Sequence, residues 1–181
     1  MPIDGIFENG RRIIQPQTCL QFNWQLLPAG EYDSDLGDKI RAYRKTVENI
    51  VNGPPADASR YKGEWFSTIA FCTLFAPLWH KELNKRGFNV QLPNPKDETG
   101  TWDDYFEHQC VIDPSLGLGK EIIIDPTYLQ FFKVIDGRLP KVFVGTKADM
   151  IELLLENRDN INNKTIRENI ESFVEIFYSL H

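Results

Sequence analysis

Cysteine is scarce in this chain. Three occur, Cys19, Cys72 and Cys110, an odd count without a Cys-x-x-Cys pair. That argues against a disulfide framework and makes a reduced compartment the default. Positive charge is in deficit as well: 20 Lys and Arg against 26 Asp and Glu leave a formal net charge of −6 and a sequence pI near 5.1. Binding to nucleic acid or to an anionic membrane surface needs basic patches, so neither is an expected partner. No apolar run approaches the roughly 20 residues that span a bilayer. The opening MPIDGIFENGRR lacks the hydrophobic region of a signal peptide. A cytoplasmic location is therefore expected, or delivery as an effector without a Sec signal. Neither GxGxxG nor GxxxxGK before Ser or Thr occurs, so a phosphate cradle has no support.

What is present belongs to a folded protein. The hydrophobic fraction is 41% and the aromatic fraction 12% over 181 residues. That length predicts a single domain, 1–181, with a core that needs no covalent staples. Residues 1–34 mix short apolar runs with Gly, Pro and Asn and read as irregular or β-like. DLGDKIRAYRKTVENIVNG, 35–53, predicts a helix: Ile40, Tyr43, Val47, Ile50 and Val51 recur at helical spacing. Asn52-Gly53 and then Pro54-Pro55 stop it, and 54–63 is a loop. A second helix is expected within 64–86, ended by Gly87, with Pro77 either near its start or at a kink.

After a polar loop at 91–101 the pattern turns to strand. DYFEHQCVID, 104–113, and EIIIDP, 121–126, flank a turn at 114–120, and 128–146 suggests a further hairpin through Asp136-Gly137. KADMIELLLENRDNI and NKTIRENIESFVEIFYSL predict two closing helices. Helices, then an antiparallel meander, then helices is an α+β pattern.

His108 opens the first strand and Asp125 closes the second. With the turn centred near 116–117, the two become near-opposite cross-strand neighbours. A carboxylate beside an imidazole fixes its tautomer and supports the imidazolium. A thiol needs such a base, because free cysteine is only about a few per cent thiolate near neutrality. Imidazolium and a helix N-terminus both stabilise thiolate. Cys72, if near a helix start packed on that hairpin, would receive both.

The pattern Cys-x-x-Phe-Ala-x-Leu, met by Cys72, Phe75, Ala76 and Leu78 and continued by Leu83 and Gly87, resembles the cysteine helix of transglutaminase-like proteins. His108 on a strand, followed by IIIDPTYLQFF with Asp125, resembles the His and Asp segments of the same superfamily, in the same chain order. The likeness covers roughly 63–132 and extends to bacterial toxin and effector domains of the papain/transglutaminase-like group, glutamine deamidases among them. It implies a papain/transglutaminase-like fold in which N-terminal helices pack on an antiparallel meander. It also implies a Cys72-His108-Asp125 triad acting on a protein or small-molecule amide or acyl substrate, with no metal or organic cofactor. In the family a Gly stands one or two residues before the cysteine. Here TIAF precedes Cys72 and the nearest Gly is Gly63, so a helix start at Glu64 or Trp65 is the alternative, with Glu64, Trp65 or Ser67 at the nucleophile position.

Other residues have simpler readings. Cys110, two residues past His108, is expected in the core. A His108/Cys110 metal pair lacks a second cluster with ligand spacing. Cys19 reads as core or loop, with Gln17 and Gln21 nearby as possible oxyanion donors. His80 is expected to be exposed or capping, while Trp65, Phe66, Phe71, Phe75 and Trp79 read as core. Asp113-Pro114 is ordinary turn chemistry. The rival to an enzyme is a binding module that keeps the fold after its nucleophile has drifted.

Overall fold

The computed structural model describes residues 22–28, 30–53, 65, 72–103 and 106–181. The first helix, α1 (Ser34–Val51), begins where the Asp33 carboxylate accepts from the Leu36 amide at 3.0 Å. Leu36, Ile40, Tyr43, Val47 and Ile50 fall on its buried stripe. Helix α2 (Cys72–Lys85) runs through Pro77 and buries Cys72, Phe75, Ala76, Trp79 and Leu83. It ends in a Schellman motif: Gly87 takes φ 89°, Phe88 N–H donates to Leu83 O and Gly87 N–H to Asn84 O. Residues 66–71, which include Phe66, Ser67 and Phe71, lie outside the described residues, as do Glu64, Cys19, Gln17 and Gln21.

Three short strands form an antiparallel sheet in the order β1-β2-β3: Val111–Asp113, Ile122–Asp125 and Phe143–Gly145. Every strand residue is buried, because each face has its own cover. Val111, Ile122, Ile124 and Val144 meet the stripes of α1 and α2. Ile112, Ile123 and Phe143, alternating with them, meet α3 (Lys147–Glu156) and α5 (Ile170–Phe177), with the short α4 (Lys164–Glu168) between. The chain is thus α+β, a small antiparallel sheet between helical layers. Both rims of the sheet are engaged. Gln91 exchanges two backbone hydrogen bonds with Ile112 outside β1, at 2.8 and 2.9 Å. The Arg44 guanidinium donates to Val144 O on β3 at 3.0 Å and lies over the Trp24 ring.

Several boundaries differ from the sequence expectation, each for a local reason. Of the strand expected over 104–113, the described residues pair only from Val111 onward, because the partner positions of Gln109 and His108 would be Pro126, which has no amide hydrogen, and Thr127, which leads into a 3₁₀ turn at Tyr128–Phe131. The hairpin through Asp136-Gly137 does not form. Asp136 does make a turn, accepting from the Leu139 amide, but the arm before it is bonded elsewhere: Phe132 bridges to Ile161 and Lys133 N–H donates to Asn160 O. The closing helices are interrupted at asparagines. Asn157 and Asn169 fold back onto the carbonyls of Leu153 and Thr165 at 2.9 Å, while Asn163 caps α4.

At the start of α3, Thr146 and Asp149 form a reciprocal capping box, and Asp149 also accepts from Gly30 N–H and the Tyr32 hydroxyl. Gly145 permits this close approach, since a Cβ there would sit 2.9 Å from an Asp149 oxygen. Trp79 is fully buried, with its indole edge-on to Trp65 and its N–H donated to Trp65 O. Trp79→Ala is expected to lower the unfolding free energy by about 3–5 kcal/mol. Urea denaturation measures it; a change below about 1 kcal/mol would mean that the helix bearing Cys72 is not anchored through this ring.

Candidate active site

The end of β2 fixes the carboxylate. Asp125 is fully buried, and four donors converge on it. Its Oδ1 accepts from Thr127 N–H at 2.8 Å and from the Thr127 hydroxyl at 3.1 Å. Its Oδ2 accepts from the Tyr178 hydroxyl at 2.6 Å and meets His108 Nε2 at 2.9 Å. A buried carboxylate with this many partners is fully satisfied and rigidly aimed.

His108 lies three residues ahead of the β1 ladder. Continuing the register from Val111↔Ile124 sets Cys110 opposite Asp125 and His108 opposite Thr127, two residues from the expected alignment. The side chains still meet, because a shift of two keeps the face of a strand. The imidazole is 1% exposed and is enclosed by the rings of Phe131, Tyr178 and Phe173, with centroids 4.9, 5.2 and 5.9 Å away. Burial alone would push its pKa down. The charge and hydrogen bond of Asp125, and then the hydrogen bond and charge of Cys72, outweigh burial and raise it from 6.5 to about 9. Its Nδ1 lies 3.2 Å from the Gln130 side-chain nitrogen.

Cys72, 4% exposed, is the first described residue of α2, a helix that packs against β1. Its Sγ lies 3.7 Å from the carbonyl of Glu107, the residue before His108, and the thiol contributes to the raised pKa of the imidazole. The structure therefore gathers Cys72, His108 and Asp125 into one cluster. Cys110 is buried beside it with its thiol directed at Phe177 O, and burial first, then the charges of Asp125 and Cys72, push that thiol well above its usual range. Among the described residues no group of three or more His, Cys, Asp and Glu is placed to hold a metal ion. His80 is half-buried on α2, its carbonyl taken by Asn84.

Three members of the cluster were not singled out from the sequence. Thr127 and Gln130 sit in the DPTYLQ segment just after the carboxylate, where the sequence did mark a motif. Tyr178, 53 positions downstream of Asp125, had no local signal. Asp113 has more than turn chemistry: buried at the end of β1, it binds the Tyr43 hydroxyl at 2.6 Å, Lys39 at 2.7 Å and the Ser115 amide at 2.8 Å, tying α1 to the sheet. A cleft of about 410 Å³ reaches His108 and is bordered by Asp97, Trp102, Phe106, Glu107 and Phe177. The buried indole nitrogen of Trp102 has no hydrogen-bond partner among the described residues.

The chain matches no family model, no curated protein and no solved structure. Among the described residues no helix is long and apolar enough to cross a membrane.

Proposed function

We propose that this chain is a cysteine-dependent enzyme of papain/transglutaminase-like construction, catalysing acyl transfer or amide hydrolysis. The observation that carries the reading is the buried His108–Asp125 contact at 2.9 Å with Cys72 acting on the same imidazole. Nε2 is committed to the carboxylate, so the thiol's proton would go to Nδ1, which Gln130 also meets at 3.2 Å. Cys72 would give its proton to His108 and attack a carboxamide or other acyl carbon. The new C–S bond forms as the C–N bond breaks, and His108 returns the proton to the departing amine. Water or a second amine then attacks the thioester, passes its own proton through His108 and frees the thiol. Asp125 orients the ring and supports its charge throughout.

A second reading has its own observation. Cys72 and His108 are 4% and 1% exposed, as closed as core residues, which suits a binding module that retains the fold without the chemistry. Iodoacetamide labelling near neutral pH, mapped by mass spectrometry, separates the two. The enzyme reading expects Cys72 to label in the folded protein and to slow about tenfold or more in His108→Ala. Cys110 should wait for denaturant in both. A Cys72 that is silent until unfolding leaves the binding module.

A further inference from the structure

We propose that Gln130 is a positioning residue: in the neutral ring it selects Nδ1 of His108 as the base, and it opposes the Asp125 carboxylate, which favours the charged ring. The catalytic half of this statement rests on the triad reading above; the effect on the imidazole rests on geometry alone.

The argument follows one proton. Asp125 accepts at both oxygens, and the Thr127 hydroxyl, 3.1 Å from Oδ1, must spend its hydrogen there. The Thr127 oxygen can then only accept. The Gln130 atom 3.1 Å from it is therefore the amide nitrogen and not the carbonyl oxygen. That same nitrogen lies 3.2 Å from His108 Nδ1. In the neutral ring Nδ1, facing a donor, presents its lone pair, while Nε2, facing a carboxylate, carries the hydrogen. The segment from Asp125 to Gln130 thus grips both ring nitrogens in a closed circuit: carboxylate, hydroxyl, amide, imidazole.

Gln130 and Asp125 pull in opposite directions. A hydrogen bond to the neutral ring disfavours the charged form, whereas the carboxylate favours it. If Nδ1 gains a proton, two donors meet, and the half-buried Gln130 side chain must swing away from the fixed Thr127. Protonation of the base is thereby coupled to release of Gln130. Among the described residues, the titratable groups around the ring are Asp125 on β2, Cys72 on α2, Tyr178 just after α5 and Cys110 just before β1; Phe131 and Phe173 add only apolar surface.

The test is nitrogen-15 NMR of the His108 ring in the wild type, in Gln130→Met, which keeps volume without a donor, and in Gln130→Glu, which keeps shape but offers a carboxylate. The neutral wild-type ring should show hydrogen on Nε2. Gln130→Met should raise the proton affinity of His108 about fivefold, and Gln130→Glu by more. Iodoacetamide labelling of Cys72 is followed in all three proteins. A purely space-filling Gln130 would leave the titration where it was, and an unchanged or lowered affinity in either variant overturns the proposal. If Gln130→Met does not fold, Gln130→Glu against the wild type decides by the same criterion. A moved titration with Cys72 silent in all three proteins would uphold Gln130's hold on the imidazole and remove the triad reading.

Discussion

In Asp125→Asn the imidazole of His108 is expected to lose its proton affinity by roughly a hundredfold or more. The carboxylate is what lifts that group to about 9 against the opposing effect of burial, and an amide has no charge to offer. Asparagine also has one acceptor oxygen where Asp125 uses two, so it can serve Thr127 or the His108–Tyr178 pair but not both. Nitrogen-15 NMR of the ring reads the loss directly. The chain has only three histidines, so the signal is assignable by substitution. On the proposed enzyme reading, turnover should fall by roughly three to four orders of magnitude with little change in KM, because the orienting acceptor matters most when the imidazolium forms. Circular dichroism checks that the variant is folded. An Asn variant with wild-type titration and turnover would reduce Asp125 to a strand-end residue.

Folding stability should fall as pH rises from neutrality into the alkaline range. His108 binds its proton more tightly in the folded chain, with a pKa of about 9, than in the unfolded chain near 6.5. Below 6.5 both states carry the proton and the contribution is complete. Between the two values the folded protein keeps a proton that the unfolded chain has released, so each step up in pH removes stability; above 9 the contribution is gone. The full effect is on the order of 3 kcal/mol. Urea denaturation from pH 6 to 10, in the wild type and in His108→Gln, isolates it from other groups that titrate there. A wild-type profile no steeper than that of the variant would mean that the imidazole is already neutral in the folded chain. The acid side has the opposite sign. Burial raises the Asp113 carboxyl, but Lys39, Ser115 and Tyr43 hold it below its ordinary 3.8, so its contribution is lost as pH falls.

The meeting of His108 and Asp125 was legible because side chains on a strand alternate with a period of two. The expected turn centre was off, and the register shifted by two residues, yet the two groups stayed on one face. The stripes of α1 and α2 were legible for the same kind of reason, since helical spacing survives errors at the ends. What could not be read was contact between distant segments. Tyr178 reaches Asp125 only because α5 packs over the sheet, and Phe132 leaves the expected hairpin because Asn160 and Ile161 satisfy its neighbourhood. Local turn chemistry at Asp136-Gly137 was correctly sensed, but a turn makes a hairpin only if both arms lack better partners. The split of the last predicted helix at Asn169 follows from a side chain competing for a backbone carbonyl, a contest that propensity does not decide.

Strands of three or four residues leave few ladder bonds to guard their own borders, and an open border is a template on which a second chain can grow. The Arg44 guanidinium removes one such template: it occupies the outward carbonyl of Val144 with a cation that an incoming strand could not displace without stranding the charge. Gln91 occupies the opposite border with a single residue of extended chain, enough to take both hydrogen-bonding groups of Ile112 and too short to offer a new edge. The sheet is in this way covered at one outward residue on each side, which hinders polymer-like extension of its buried Ile and Val strands.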